Sequence, residues 1–286
     1  MRVRKAVITA AGWGTRFLPA TKAQPKEMLP LIDKPLIQYA VEEAVASGIE
    51  QIIVVTAPGK KSIEDHFDRS FELEYTLEQK GEITLLEEIR RLSNMVDICY
   101  IRQEEQLGLG HAVLVTKELV GREPFAVILP DDIIDAQTPA LKQMVEIYHR
   151  YQSTVIAVEQ VNEEGFKKYG IIEPKAISPR LYQVLNLVEK PELQEAPSNL
   201  GVVGRYILTP QVFRALEATP PGKGGEIQLT DALRLLLGRQ NIYGYEFEGT
   251  RYDAGTPLGM LQAAISLALK RPDMGYELRE YLRKLI

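Results

Sequence analysis

Short runs of apolar, mostly β-branched residues alternate with helix-like segments through residues 1–150, and this alternation limits the possible folds more than any other feature. Four strand-like runs lie at Lys5–Thr9, Gln51–Thr56, Val96–Ile101 and Phe125–Leu129. Such alternation predicts a mostly parallel sheet flanked by helices, in which ligands bind at the carboxyl ends of the strands. Gly12, Gln103 and Asp131 each follow one of these runs. We therefore expect them to lie at one edge of the sheet.

The pattern changes after a helical segment at residues 138–151. Four strand-like runs joined by short turns follow at Val155–Val161, Gly170–Glu173, Tyr182–Glu189 and Val202–Leu208. Short turns favour antiparallel pairing, so we expect a second, more antiparallel lobe on the same sheet. The tail over residues 257–286 has mostly helical character. We expect a single domain over 1–286, with halves at 1–150 and 151–256 followed by C-terminal helices at 257–286.

Composition excludes several classes of function. The net charge of −5 disfavours non-specific binding to nucleic acid or to anionic membranes. Cys99 is the single cysteine, so no intrachain disulfide can form, which favours a reducing cytoplasm. The apolar run after Met1–Lys5 is too short for a signal peptide, and no stretch approaches the roughly 20 apolar residues that span a membrane. We expect a cytoplasmic protein.

A loop with two glycines follows the first strand-like run. Gly12 and Gly14 let backbone N–H groups approach a ligand closely, and Arg16, Lys22 and Lys26 add positive charge within a short span. A strand, a glycine turn and spaced cations predict a site for a polyphosphate. A surface turn with unrelated charges is the alternative.

This loop does not match the two best-known phosphate motifs. It lacks the glycine and lysine spacing of a P-loop, and Phe17 stands where a dinucleotide fingerprint has its third glycine. Pro19 and Pro25 prevent a long helix from starting at the loop. We therefore expect an extended loop stiffened by proline.

Two further motifs place charged side chains at strand ends. Asp131 and Asp132 follow a buried strand, where carboxylates are suited to Mg²⁺, although a solvated acidic turn is the alternative. Glu189 and Lys190 pair a hydrogen-bond acceptor with a cation, which suits a sugar phosphate, although a surface ion pair is the alternative. His66, His111 and His149 show no metal-like spacing, and we expect ordinary structural roles for them.

These motifs together resemble the signature of the sugar-phosphate nucleotidyltransferases, and most closely their bacterial uridylyltransferase branch. The similarity covers nearly the whole chain. Its segments are Gly12–Pro30, Lys34–Ile37, His66–Leu73, Gly108–Ala112, Ile128–Asp131, Val188–Pro191, Ser198–Leu200, Thr219–Gly222 and Gly225–Asp231. The occurrence of all these motifs in this order is far more specific for the family than any single motif.

The resemblance implies a Rossmann-like α/β fold and an enzyme that moves a uridylyl group from UTP to glucose 1-phosphate. The products are UDP-glucose and pyrophosphate, and the reaction is a direct, Mg²⁺-dependent in-line displacement. Two alternatives remain: thymidylyl transfer from dTTP to glucose 1-phosphate, and a non-catalytic sensor of nucleotide sugars. We expect a homo-oligomer, either a dimer or a tetramer.

The resemblance also implies roles for individual residues. Arg16, Lys26, Asp131 and Lys190 are the expected catalytic residues, and Asp131 and Asp253 are the expected metal ligands. Sugar contacts are expected from Gly170, Glu189 and Lys190. Nucleotide contacts are expected from Ala10, Ala11, Gly12, Gly14, Thr15, Gln103 and Gly108, with the Gln103 amide reading the uracil edge. Residues 1–150 are then the nucleotide-binding half, and 151–256 the sugar-phosphate-binding half.

Overall fold

The fold was analysed on a computed structural model, which describes residues 1–285 except the side chain of Lys223. The strands, in chain order, are β1 Lys5–Thr9, β2 Pro30–Leu31, β3 Lys34–Pro35, β4 Gln51–Thr56, β5 Asp97–Arg102, β6 Phe125–Ile128, β7 Asp132–Asp135, β8 Thr154–Gln160, β9 Gly170–Ser178, β10 Leu181–Glu189, β11 Leu200–Leu208, β12 Ile242–Glu246 and β13 Thr250–Asp253.

The α-helices are numbered in the same way. They are α1 Leu36–Ala46, α2 Lys61–Phe67, α3 Phe71–Lys80, α4 Ile83–Ser93, α5 Gly108–Leu114, α6 Lys117–Val120, α7 Ala140–Tyr151, α8 Glu163–Phe166, α9 Gln211–Ala218, α10 Leu229–Leu237, α11 Pro257–Ala268 and α12 Gly275–Leu285. None of the helices within residues 1–285 has the length and apolar character needed to cross a bilayer.

One nine-stranded sheet runs through both halves of the chain. Its strand order is β5-β4-β1-β6-β11-β8-β12-β10-β9. The strands β5, β4, β1 and β6 pair in parallel, whereas β11 runs antiparallel to both of its neighbours β6 and β8. The hairpin β9–β10 is also antiparallel. The expected fold class, a mixed sheet with a parallel first half and a more antiparallel second lobe, is confirmed.

Helices cover both faces of this sheet, which explains why its central strands are almost entirely apolar. One face packs against α1 and α7 through side chains such as Ile37 and Met144. The other face packs against α5, α9 and α10 through side chains such as Val113 and Leu233. The side chain of Cys99 packs against this second core, as expected for a residue of the strand predicted at Val96–Ile101.

Two helical segments each contain more than one helix. Gly81 adopts a left-handed conformation with φ 72° and ends α3 before α4 begins. The tail, expected to be mostly helical, contains the helices α11 and α12. Strands β7 and β13 form a two-stranded antiparallel ribbon that was not predicted, and it carries Asp132 opposite Asp253.

Candidate active site

Two cavities of about 300 Å³ each open side by side at the carboxyl ends of the parallel strands. The loop-side cavity is lined by Ala11, Gly12, Lys26, Gln103 and Gly108, among others. The hairpin-side cavity, next to β9 and β10, is lined by Arg16, Gly170, Glu189, Lys190 and Asp253, among others. Asp131 borders both cavities. Most of the predicted site residues therefore line two cavities that share Asp131, whereas Ala10, Gly14 and Thr15 line neither cavity.

A larger cavity of about 880 Å³ lies at the opposite ends of the strands, between α6 and α9. Its lining includes Met1, Lys117, Tyr148 and Phe213 and contains none of the predicted site residues. Size alone therefore does not identify the site, and we place the candidate active site at the two smaller cavities because most of the predicted residues line them.

The loop after β1 is compact, so the prediction of an extended loop was wrong. It contains three short 3₁₀ turns, at Thr15–Phe17, Ala20–Lys22 and Lys26–Met28. Gly14 has a left-handed φ of 67°, and a Cβ added there would lie 3.0 Å from Lys26 Cβ. Thr21 Oγ1 donates a hydrogen bond to the Gly14 carbonyl at 2.8 Å. Gly14 therefore lets the turn that carries Lys26 pack against the beginning of the loop.

Lys26 and Asp131 form an ion pair at the border of the two cavities. Lys26 Nζ donates to Asp131 Oδ2 at 2.5 Å, and the two side chains remain 21% and 23% exposed, which leaves them accessible to a ligand. Burial raises the pKa of Asp131, but the ammonium of Lys26 more than reverses this shift. Burial likewise lowers the pKa of Lys26, and the charges of Asp131 and Glu27 outweigh it. Both groups are therefore held in their charged forms.

Asp253 lies beside Asp131 at the end of the β7–β13 ribbon. The backbone N–H of Ala254 donates to the Asp131 carbonyl at 2.8 Å. A methyl group added at Gly255 would lie 2.8 Å from Asp131 Oδ2 and 3.0 Å from Asp253 Oδ1. Glycine at this position therefore lets both carboxylates lie against the backbone of residue 255, and the Gly255 N–H donates to Asp253 Oδ1 at 3.1 Å. Arg16 Nη1 approaches the Gly255 carbonyl at 3.5 Å from the other side.

Gln103 is fixed at the end of β5. Its side chain is buried, and its Nε2 donates to the Gly108 carbonyl at 3.1 Å and contacts His111 Nδ1 at 3.0 Å. Gly108 has φ 89°, and a Cβ there would lie 2.8 Å from Glu226 Cβ. The contact with Gln103 is a structural role for His111, in line with the expectation, and it helps to fix a residue that lines the loop-side cavity.

The backbone of residues 10–15 is only partly free to bind a ligand. The Ala10 N–H donates to the Val55 carbonyl at 2.8 Å, and the Ala11 carbonyl accepts from Gln106 Nε2 at 2.7 Å. Gly12 and Thr15 are exposed, and a Cβ at Gly12 would meet nothing within 4 Å. The open part of the loop therefore begins at Gly12.

Glu189 and Lys190 lie where β10 ends, facing the hairpin-side cavity. Lys190 Nζ lies 3.1 Å from Glu189 Oε1, and the Lys190 side chain is 41% exposed. Lys190 has a positive φ of 45°. A methyl group at Gly170 would lie 3.0 Å from Thr230 Oγ1 and 3.2 Å from Glu189 Oε2. The close approach of the Gly170 backbone to Glu189 therefore depends on glycine.

Two buried charge networks beside the cleft were not predicted. Glu27 forms an ion pair with Lys60 at 2.7 Å directly behind Lys26. Asp132 forms an ion pair with Arg251 at 2.5 Å behind Asp131. The Asp-Asp and Arg-Tyr-Asp sequences show that this region is charged. A local sequence pattern cannot predict ion pairs between residues as far apart in the chain as Glu27 and Lys60 or Asp132 and Arg251.

Comparisons with known proteins agree with this geometry. The sequence model of the nucleotidyl transferase family matches residues 5–269. The chain is 52% identical to a UTP–glucose-1-phosphate uridylyltransferase of Bacillus subtilis strain 168, covering 100% of this chain and 98% of the relative. It is 50% identical to the enzyme of that name from Staphylococcus epidermidis strain RP62A, covering 99% of each chain. A solved structure described as UTP-bound UGPase from Acinetobacter baumannii superposes with a TM-score of 0.92 at 43% identity, covering 99% of this chain and 100% of the other. The chain therefore belongs to the nucleotidyl transferase family, in its UTP–glucose-1-phosphate uridylyltransferase branch.

Proposed function

We propose that the chain transfers a uridylyl group from UTP to glucose 1-phosphate, giving UDP-glucose and pyrophosphate. The observation that carries this proposal is the position of the Lys26–Asp131 pair between the two cavities. A nucleotide in the loop-side cavity and a sugar phosphate in the hairpin-side cavity would then meet at Asp131. The attacking phosphate oxygen and the departing pyrophosphate lie on opposite sides of the α-phosphorus in such an in-line displacement.

Cationic side chains would contribute most to catalysis of this reaction, because phosphoryl-type transfer needs positioning and neutralisation of charge more than an activated nucleophile. Lys26, which lines the loop-side cavity, would hold the nucleotide phosphates, and Arg16, which lines the hairpin-side cavity near Gly255, would contact them where they reach Asp131. Lys190 would hold the attacking phosphate of the sugar, and its 41% exposure leaves its ammonium free to reach that phosphate. No covalent intermediate on the protein is required.

Asp131 and Asp253 would hold a divalent cation, and we propose Mg²⁺. Asp131 Oδ2 and Asp253 Oδ1 both lie close to Gly255, and carboxylate oxygens are the hard donors that Mg²⁺ uses together with phosphate oxygens. When bound, Mg²⁺ would screen the charge on the phosphates.

Gln103 would read the uracil edge, assisted by the backbone at Gly108. Because Gln103 Nε2 already contacts the Gly108 carbonyl and His111 Nδ1, its Oε1 is the atom available to accept from a base N–H. Uracil and thymine supply that donor from N3–H, whereas cytosine has no hydrogen on N3 and could donate only from its 4-amino group, at a different position of the ring. This preference is the basis for expecting UTP or dTTP rather than CTP.

Gly170 and Glu189 would bind the sugar. The Glu189 carboxylate can accept hydrogen bonds from ring hydroxyls, and the missing side chain at Gly170 lets the ring approach the backbone. We further infer the division into a nucleotide-binding half at 1–150, a sugar-phosphate-binding half at 151–256 and C-terminal helices after residue 256.

A cytoplasmic location and a homo-oligomer, either a dimer or a tetramer, stay predictions. The single Cys99 supports the first. Size-exclusion chromatography with light scattering tests the second, and a mass equal to one chain would contradict it.

A substrate panel tests the proposed activity. Purified protein is incubated with Mg²⁺, each of UTP, dTTP, CTP, ATP and GTP, and each of several sugar 1-phosphates, and nucleotide sugar and pyrophosphate are quantified. We expect the highest kcat/KM with UTP and glucose 1-phosphate. A preference for dTTP would support the thymidylyltransferase alternative, and UTP binding without any product would support the sensor.

A further inference from the structure

We propose that Arg251 is a positioning residue that fixes the distance between the Asp131–Asp253 carboxylates and the side chains of Glu189 and Lys190. Given the proposed function, this distance decides how the sugar phosphate approaches the α-phosphorus. Arg251 lies on β13, two residues before Asp253, and its side chain is only 6% exposed. Arg251 and Tyr169 both border the hairpin-side cavity, but all three guanidinium nitrogens of Arg251 already donate to protein acceptors, so we assign it the positioning of its neighbours rather than substrate binding.

The guanidinium of Arg251 joins three different parts of the chain. Its Nε donates to Asp132 Oδ1 at 2.7 Å, on β7. Its Nη1 donates to Glu159 Oε1 at 2.6 Å, on β8. Its Nη2 donates to the Tyr169 hydroxyl at 3.0 Å, and the guanidinium lies 4.9 Å from the centre of the Tyr169 ring. A planar fork of donors can serve all three partners at once, and a lysine ammonium on a flexible stem cannot do so with the same geometry.

Asp132 connects this network to the metal side of the cleft. Its second oxygen, Oδ2, accepts from the Gly204 N–H at 2.7 Å, on β11. A Cβ at Gly204 would lie 2.3 Å from the same oxygen, so only glycine permits this contact. Asp132 is thereby held from two sides, and the adjacent Asp131 is held with it.

Tyr169 connects the network to the sugar side. Its hydroxyl accepts from Arg251, and its carbonyl accepts from the Lys190 N–H at 3.3 Å. It also precedes Gly170, whose backbone lies against Glu189. The groups that would bind the sugar phosphate are therefore tied through one tyrosine to the arginine that holds Asp132.

This connectivity predicts a selective defect when Arg251 or Tyr169 is altered. The loop-side cavity has neither residue in its lining, so nucleotide binding should be unaffected. Sugar-phosphate binding and turnover should both suffer, because the two halves of the cleft lose their fixed separation. A merely structural ion pair would lower stability without this selectivity.

Two variants test the proposal in the full-length protein. Tyr169→Phe keeps the ring and removes the hydroxyl that accepts from Arg251, and Arg251→Lys keeps the charge and removes the fork. Arg90→Met, which removes one partner of Glu74 outside both cavities, is the control. For each we measure kcat, both KM values and the melting temperature. UTP binding alone is followed by the fluorescence of Trp13, the single tryptophan, which is 73% exposed in the loop.

We expect Tyr169→Phe to lower kcat/KM for glucose 1-phosphate by about 10-fold, the low end for a hydrogen bond to a charged group, because the Arg251 guanidinium donates the bond that is lost. Arg251→Lys should lower it by about 10- to 100-fold, because buried carboxylates lose partners. The Kd for UTP should stay within about twofold of wild type in both variants. The loss of even one hydrogen bond to UTP would raise the Kd by more than that. Arg90→Met should lower the melting temperature and leave both KM values unchanged.

Wild-type kcat and KM for the sugar phosphate in Tyr169→Phe would overturn the proposal, even if Arg251→Lys failed to fold. Equal losses for UTP and glucose 1-phosphate would overturn it as well. If the wild type used another substrate pair, the proposed function would be wrong. The changes in kcat/KM and in nucleotide Kd between variants and wild type, measured with that other pair, would still decide the role of Arg251. If no pair reacted, calorimetric titration of glucose 1-phosphate in the presence of UTP would supply the comparison.

Discussion

Lys26 Nζ lies 2.5 Å from Asp131 Oδ2, so the cation proposed to meet the nucleotide phosphates is paired with the carboxylate proposed to hold the metal. A phosphate that drew Lys26 away from Asp131 would free the carboxylate oxygen for a cation, and a cation at Asp131 would free Lys26 for a phosphate. Under the proposed function, the pair would therefore couple nucleotide binding to metal binding through one shared oxygen.

The first prediction follows from this pair. Lys26→Ala should lower kcat by 10²–10³, or about 2.7–4 kcal/mol, as expected when a charged contact to the developing transition state is lost. The same variant should bind Mg²⁺ more tightly in the absence of nucleotide, because Asp131 no longer has a competing ammonium. Steady-state kinetics at saturating UTP and calorimetric titration of Mg²⁺ measure the two effects. A near-normal kcat would exclude Lys26 from catalysis.

The second prediction concerns the metal carboxylates. Asp131→Asn should abolish most of the activity and recover it only partly at high Mg²⁺, and Asp253→Asn should have a milder effect of the same kind. The melting temperature of Asp131→Asn should fall slightly, since Lys26 lowers the pKa of Asp131 and the folded state therefore favours the charged carboxylate. Product formation across a Mg²⁺ series and thermal melts on the same preparations check this. Wild-type rates at low Mg²⁺ would exclude Asp131 as a ligand.

The third prediction separates the two cavities. Lys190→Ala should raise the KM for glucose 1-phosphate strongly and leave the Kd for UTP nearly unchanged, because Lys190 lines only the hairpin-side cavity of the two. Lys117→Ala is a matched control, since Lys117 pairs with Glu217 beside the cavity at the opposite strand ends. Equal losses for both substrates would show that Lys190 supports the nucleotide or the fold instead.

The parallel half of the fold and the central position of Asp131 could be predicted from the sequence. Alternating apolar runs and helices fix which strand ends share an edge, so Gly12, Gln103 and Asp131 had to be neighbours. The partners of Arg251 could not be predicted in this way, because Asp132 and Glu159 are far from it in the chain. Strands as short as β7 and β13 also leave no periodic signal.

The compact loop was missed for a related reason. Pro19 and Pro25 exclude a long helix, but a 3₁₀ turn needs only three residues and the same prolines permit it. What favours the turns is the packing of Gly14 against Lys26 and the anchoring of Glu27 by Lys60. Both are contacts between residues that only the folded chain brings together.

The fourth prediction concerns this anchor. Glu27 and Lys60 are 1% and 9% exposed, Glu27 Oε1 has no hydrogen-bond partner among the described residues, and burial raises the pKa of Glu27. Lys60→Met should destabilise the protein by about 3–5 kcal/mol, because it leaves a buried charge without a partner. The double variant Glu27→Leu with Lys60→Met should regain most of that loss. Urea unfolding of Lys60→Met, Glu27→Leu and the double variant gives the interaction free energy between the two residues. Losses of unfolding free energy that simply add would contradict a paired role.

The last prediction concerns acid stability and involves helices outside the cleft. Glu74 on α3 is buried beneath Arg69 and Arg90, which donate to it at 2.8–2.9 Å. These hydrogen bonds lower the pKa of Glu74 from 4.5 to about 2. The folded state therefore binds this proton less readily than the unfolded state, so the stabilisation is fully present above pH 4.5 and is lost as the pH falls toward 2.

Glu74→Gln should accordingly lower the melting temperature most above pH 4.5, and its difference from wild type should shrink steadily toward pH 2. The neighbouring Glu72→Gln, an exposed residue of the same helix, should show no such convergence. Thermal melts of the three proteins across this range measure the effect. A Glu74→Gln difference that stays constant with pH would mean that the charge of Glu74 adds nothing to the stability of α3 and α4.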